Sequence, residues 1–246
     1  MGLAHRGRQR PVSTSEAPGG LAVLLRCFSN PKVEQVVDRL TRLASVTRVV
    51  VLVDPVRDTA NTVERLSQYQ GPGRVEALAV EPWGWAAALN AGLDHLRSGH
   101  ESLVLTVSAE VSLTTPVLEG LIRAAERDGS GCGYARFAGR SEPSYRVPRN
   151  TCCVWARRLL EDLGGFDVSG DTDGGMEDYR LVLSALQRTG RLPMSGAIDV
   201  PLALRTDTDM EAKLAWERRG MAAAEARHER SVVARLQEAL ATATPE

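Results

Sequence analysis

The chain has 246 residues, 43% hydrophobic and 25% charged, enough for an ordinary globular core in one α/β domain or two small ones. A formal net charge of −1 and an aromatic content of 4% argue against a basic, base-stacking surface, so no nucleic-acid partner is expected. No stretch approaches 18 apolar residues, which argues against a transmembrane helix, and the four cysteines (Cys27, Cys132, Cys152, Cys153) form no C-x-x-C pair and read as reduced thiols of a cytoplasmic protein.

Residues 1–20, "MGLAHRGRQRPVSTSEAPGG", have a basic start without the apolar run of a secretory signal and read as a disordered extension. "LAVLLRCF" (21–28) is a continuous apolar run, the pattern of a strand buried on both faces. In "PKVEQVVDRLTRLA" the residues Val33, Val36, Val37, Leu40 and Leu43 recur at helical spacing, with Pro31 suited to the first turn. A second buried strand, "VTRVVVLVD" (46–54), ends at Asp54, and "DTANTVERLSQY" follows as a helix with Asp58 or Thr59 as its cap. "RVEALAV" (74–80) is a third strand, "WGWAAALNAGLDHL" (83–96) an Ala-rich helix, and "SLVLTVS" (102–108) a fourth strand. "TPVLEGLIRAAERDG" (115–129) is an amphipathic helix stopping at Gly129.

Four β–α units in succession predict an α/β fold with a doubly wound, mostly parallel sheet flanked by helices. Ligands of such sheets bind beyond the carboxyl ends of the strands, which places Arg26–Ser29, Asp54, Glu81–Trp85 and Ser108–Glu110, Ala109 included, on one rim. Beyond residue 130 the alternation breaks: "GCGYARFA" reads as a strand and "TCCVWARRLLEDLGGFD" as a strand end with a short helix. A Gly-rich acidic loop, "VSGDTDGG", precedes the well-patterned helix "MEDYRLVLSALQRTG" (176–190). Residues 207–246 read as a C-terminal helical segment that packs back on the domain, pairs with a second copy in a homodimer contact, or serves as a lid.

The order of these pieces resembles the family-2-type nucleotide-sugar glycosyltransferases of the GT-A fold. The resemblance spans about residues 20–206 and rests on "VLVDPVRDT", "GWAAALNAGL", the strand end "VSAEVSL" and "LGGFDVSGDTDGGMEDYR". It implies a GT-A-like domain over 21–206, with 21–114 the nucleotide-binding half and 115–206 the acceptor half. It further implies a nucleotide-sugar donor, an acceptor hydroxyl, and inversion by direct displacement with Asp178 as general base and Glu177 beside it. Arg26, Asp54, Trp85, Asn90, Ser108, Ala109 and Glu110 would line the donor side, with Trp83, Asp58 and Gly92 as lesser candidates.

In that family an Asp-x-Asp pair after the fourth strand meets a divalent ion, and a histidine follows the last core strand. Here Ser108 stands at the first acid's place and Glu110 at the second, and "LALRTDTD" holds no histidine. If Mn²⁺ or Mg²⁺ is used, Glu110 is the carboxylate left to hold it, with Asp207 the nearest substitute for the histidine. Arg136, Arg146 and Arg149 are alternative sources of positive charge.

Two competing readings differ in class. A non-catalytic relative that binds a nucleotide sugar or a partner would explain the eroded acidic pair. A sugar nucleotidyltransferase of similar fold calls for a Gly-rich phosphate loop after the first strand, where "RCFSNPK" stands instead. No G-x-G-x-x-G follows any strand, which argues against a dinucleotide-dependent dehydrogenase.

Overall fold

The structure, a computed structural model, describes residues 19–27, 30–109, 111–127, 131–137, 148, 150–168, 171, 177–189, 197–200, 234 and 238. The elements run β1 (Leu21–Cys27), α1 (Val33–Thr41), β2 (Val46–Val53), α2 (Thr62–Ser67), β3 (Arg74–Ala79), α3 (Trp85–His95), β4 (Leu103–Ser108) and α4 (Thr115–Glu126). There follow β5 (Cys132–Phe137), β6 (Cys152–Ala156), α5 (Arg157–Leu163), α6 (Glu177–Thr189) and β7 (Ala197–Val200). The strands form one seven-stranded sheet in the order β3-β2-β1-β4-β6-β5-β7. β1 pairs in parallel with β2 and β4, and β2 with β3. β6 runs antiparallel between β4 and β5, and β7 pairs in parallel with β5.

Every residue of β1 and β4 is buried, as their unbroken apolar sequences require of strands covered on both faces. The period of two sorts their side chains between two cores. Leu21, Val23, Leu25 and Cys27 of β1 and Leu103, Leu105 and Val107 of β4 face α1 and α4. Ala22 and Leu24 with Val104 face α3, α5 and α6. Arg26, Thr106 and Ser108 continue that second series, so they stand on the α3–α6 face.

Two details depart from the sequence expectation. Helix α2 is shorter than the pattern suggests, because Asn61 at its N-cap adopts left-handed backbone (φ 48°) and blocks extension toward residue 58. Asp58 still caps it from a distance, its Oδ2 accepting the N–H of Thr62 at 2.6 Å. The antiparallel insertion of β6 beside β4 was also not read from the pattern. A strand buried on both faces carries no periodic sign of its direction. Of the C-terminal segment only Ala234 and Glu238 are described, both helical and exposed, so its packing and pairing lie outside the described residues. No helix among the described residues is long and apolar enough to cross a membrane.

Candidate functional site

The carboxyl ends of β1 and β4, the N-terminal ends of α3 and α6, and the turn before β6 meet on the α3–α6 side of the sheet. Arg26 and Ser108 are register partners on β1 and β4. Ser108 donates its backbone N–H to Thr151 O at 3.0 Å, and Ala109 donates to Arg26 O at 3.3 Å, so the two strand ends and the β6 turn are stitched together. The sequence expectations Arg26, Trp85, Ser108, Ala109, Glu177 and Asp178 all fall in this region, and all six are buried.

Arg26 is the hub. Its Nη1 donates to Glu177 Oε1 at 3.1 Å, and its guanidinium lies 4.5 Å from the centroid of the Trp85 ring. A guanidinium over an indole face gains from the ring quadrupole, and a charge pair with only 7% exposure on each side is screened little by water. The Arg26 Nε is buried with no hydrogen-bond partner among the described residues. Trp83 packs edge-on to Trp85, with ring centroids 6.4 Å apart.

Asp178, in the first turn of α6, accepts the backbone N–H of Asn150 at 2.7 Å. Asn150 is in turn fixed by the sheet. Its Oδ1 accepts from Trp155 Nε1 at 3.2 Å and Thr106 Oγ1 at 3.3 Å. An indole N–H can only donate, so it sets which way the amide points, leaving the buried Nδ2 without a partner. Asn150 was not singled out from the sequence, and its "PRNTCC" setting carries no motif that would have marked it.

Asp171 was also missed. Its carboxylate accepts the N–H groups of Ala86 and Ala87, each at 2.7 Å, at the start of α3. Burial raises its pKa, against the pull of those N–H groups, that of Trp85, and the charge of Arg26. A signal did exist: α3 opens on Gly84, which has no side chain to cap the helix, so a cap must come from elsewhere.

The other candidates are placed as follows. Asn90 donates from Nδ2 to Phe166 O and accepts from Phe166 N, both at 2.8 Å. It therefore ties the "GGFD" turn to α3. Arg180 of α6 pairs with Asp167 at 3.1 Å and ties the same turn from the other side. Gly92 packs on the sheet, where a Cβ would stand 2.7 Å from Leu24 Cδ2. Asp54 is buried at the end of β2, accepts from Val56 N at 3.0 Å and faces Arg57 Nε at 3.6 Å. Arg136 is exposed near the end of β5, three strands from Arg26 and so about 14 Å away. Glu110, Arg146, Arg149 and Asp207 lie outside the described residues.

Among the described residues, no group of three or more His, Cys, Asp or Glu side chains is arranged to hold a metal ion. At the β1–β4 rim Ser108, a neutral hydroxyl, stands beside the buried guanidinium of its register partner Arg26, and Glu110, the carboxylate expected there, lies outside the described residues.

The sheet order and the two-faced helix arrangement define a GT-A-like α/β fold. No protein-family model matches the chain, and no curated protein matches its sequence. Solved structures do match in fold. Glucosyl-3-phosphoglycerate synthase from Mycobacterium tuberculosis, in complex with Mn²⁺, UDP and glucosyl-3-phosphoglycerate, superposes with a TM-score of 0.54 at 16% identity, covering 88% of this chain and 84% of that one. The same enzyme with Mn²⁺ and UDP-glucose gives 0.53 at 14% identity, over 81% and 76% of the two chains. The 4-diphosphocytidyl-2C-methyl-D-erythritol synthase from Anaerococcus prevotii gives 0.51 at 12% identity, over 82% and 98%. At these identities the likeness is one of fold, and the fold hosts more than one kind of transferase.

Proposed function

We propose that this protein is a glycosyltransferase that moves a sugar from a nucleotide-activated donor to an acceptor hydroxyl by a single, inverting displacement with Asp178 as general base. The observation that carries the reading is the convergence of Arg26, Glu177 and Asp178, all buried, at the carboxyl rim of β1 and β4. Structural ion pairs can be built anywhere; a buried acid pair at the strand-end rim is where this class of sheet does its chemistry. The solved neighbour that binds UDP-glucose supports the donor class.

In this mechanism residues 21–114 hold the nucleotide sugar and residues 115–206 the acceptor. Asp178 takes the proton of the acceptor hydroxyl as its oxygen attacks the anomeric carbon. The bond from that carbon to the diphosphate oxygen breaks on the opposite face, and the nucleoside diphosphate leaves with the electron pair. One carboxylate suffices because the reaction is one displacement. Asn150, through its backbone N–H on Asp178 Oδ1, fixes the orientation of that carboxylate. Glu177, held by Arg26, orients the first turn of α6.

The test is Asp178→Asn, assayed for nucleoside diphosphate release and for nucleotide binding in parallel. Turnover should fall by about 10²–10⁴-fold, the worth of a positioned base, with nucleotide affinity within a few-fold of the parent. Turnover retained near the parent level removes Asp178 from the role. A parent that binds nucleotide sugars but releases no product with any acceptor would be the non-catalytic relative instead.

A further inference from the structure

We infer that the diphosphate of the donor is received by the guanidinium of Arg26, without a divalent ion. The inference rests on the nucleotide-sugar reading above. In the solved neighbours a Mn²⁺ ion accompanies UDP. A departing diphosphate needs positive charge from some source, and four observations make Arg26 that source here.

The first is place. Arg26 and Ser108 are register partners in adjacent parallel strands, about 4.8 Å apart at Cα, with side chains on the same face of the sheet. Ser108 is the position where the resemblance expects the first acid. Where the resemblance expects an acid this chain has a neutral hydroxyl, and the adjoining strand carries a cation. Removing an anion and supplying a fixed positive charge at one spot replaces a carboxylate-bound metal ion by a directly bound guanidinium.

The second is chemistry. Arg26 is 7% exposed, yet its Nε has no hydrogen-bond partner among the described residues. A buried guanidinium N–H left unpaired is costly, and a phosphate oxygen is the acceptor that its planar fork matches best. The third is preorganisation. Stacking on Trp85 at 4.5 Å and the bond to Glu177 hold the guanidinium plane in one orientation, so little freedom is lost when an anion docks. The fourth is the helix end nearby. The Asp171 carboxylate accepts the first N–H groups of α3, the helix that carries Trp85, so the positive end of that helix lies at this corner.

Glu177 and a diphosphate compete for the same guanidinium, and the competition gives a signature that a purely structural ion pair would not. UDP, GDP and ADP would be titrated calorimetrically into the full-length protein, once in EDTA and once in Mn²⁺. The parent should bind at least one of them in EDTA with an affinity within about three-fold of that in Mn²⁺. Glu177→Gln should bind it more tightly, because the competing carboxylate is gone. Arg26→Gln should lose about 10- to 100-fold, the range for a hydrogen bond to a charged group. Should Arg26→Gln fail to fold with Glu177 stranded, the double variant Arg26→Gln/Glu177→Gln leaves neither charge buried alone and should show the same loss. Binding that requires Mn²⁺ overturns the inference and leaves the nucleotide-sugar reading intact. Binding in EDTA that is unchanged in the Arg26 variants overturns it as well. If none of the three binds in either condition, this inference falls, while the nucleotide-sugar reading falls only if CDP and dTDP fail to bind as well.

Discussion

Asn90→Ala separates two roles for a residue that the helix motif alone would assign to the nucleotide sugar. In the fold its amide makes two 2.8 Å bonds to the backbone of Phe166, a residue 3% exposed in the second core. Alanine removes both partners and leaves the Phe166 N–H and carbonyl without them. Each such orphan costs about 1–3 kcal/mol, discounted at this half-buried site to a total of about 2–4 kcal/mol. At about 2–4 °C per kcal/mol for a chain of this size, the melting temperature should fall by about 5–15 °C. Asn90→Asp keeps the acceptor for Phe166 N but turns an oxygen toward the Phe166 carbonyl, so it too should destabilise. Differential scanning fluorimetry and urea melts read both variants. A drop below about 1 °C refutes the reasoning. So does an Ala variant of parent-like stability that has lost nucleotide affinity, since that would make Asn90 a ligand contact.

Two further predictions concern charge and thiols. Burial alone would raise the Glu76 pKa, but hydrogen bonds from Arg48 and His95 and the charges of Arg48 and Arg74 outweigh it and set the group at about 2, against 4.5 when free. The folded value is the lower one, so this group stabilises the fold above pH 4.5 and loses that contribution as pH falls toward 2; the full difference is worth up to about 3 kcal/mol. Urea midpoints of parent and Glu76→Gln should therefore converge as the pH is lowered from 6 to about 3, and a gap that does not change with pH counts against the network. All four cysteines are buried, and burial pushes Cys152 up to about 12 and Cys153 well above its ordinary value. Ellman's reagent should leave the native protein unlabelled at pH 8 and titrate four thiols only after denaturation. Rapid labelling of the native state would contradict the packing of β5 and β6.

Much of the architecture was legible because it depends on local pattern. The continuous apolar runs at 21–28 and 46–54 announced buried parallel strands, and the spacing of Val33, Val36, Val37 and Leu40 announced α1. "GGFD" reads well for a local reason too: Gly164 and Gly165 both adopt left-handed backbone (φ 80° and 85°), which stops α5 and turns the chain toward α6. What stayed hidden depends on contacts between segments distant in sequence. The Arg26–Glu177 pair joins residues 151 positions apart, and no one-dimensional spacing reports it. Arg26 looked like an ordinary surface arginine until the strand alternation turned it into the face covered by α3 and α6. Asn90 misleads in the opposite direction. Its motif position suggests ligand, while both of its amide atoms are spent on a turn 76 residues away. Asp171 hid in a Gly-rich acidic loop that carries no motif of its own, although the uncapped start of α3 called for a carboxylate.

The central claim is that the carboxyl rim of this sheet is a nucleotide-sugar site, and ligand-induced stabilisation tests it most directly. The full-length protein would be melted with saturating UDP, GDP, ADP, CDP and dTDP and their common sugar conjugates, with and without Mn²⁺. A ligand present at about 100 times its dissociation constant stabilises by about 2.7 kcal/mol, which should raise the melting temperature by about 5–10 °C. At least one nucleotide and its sugar conjugate should give that shift, and Arg26→Gln, binding about 10- to 100-fold more weakly, should cut it to about half or less. No shift with any of them, in either condition, would contradict the account.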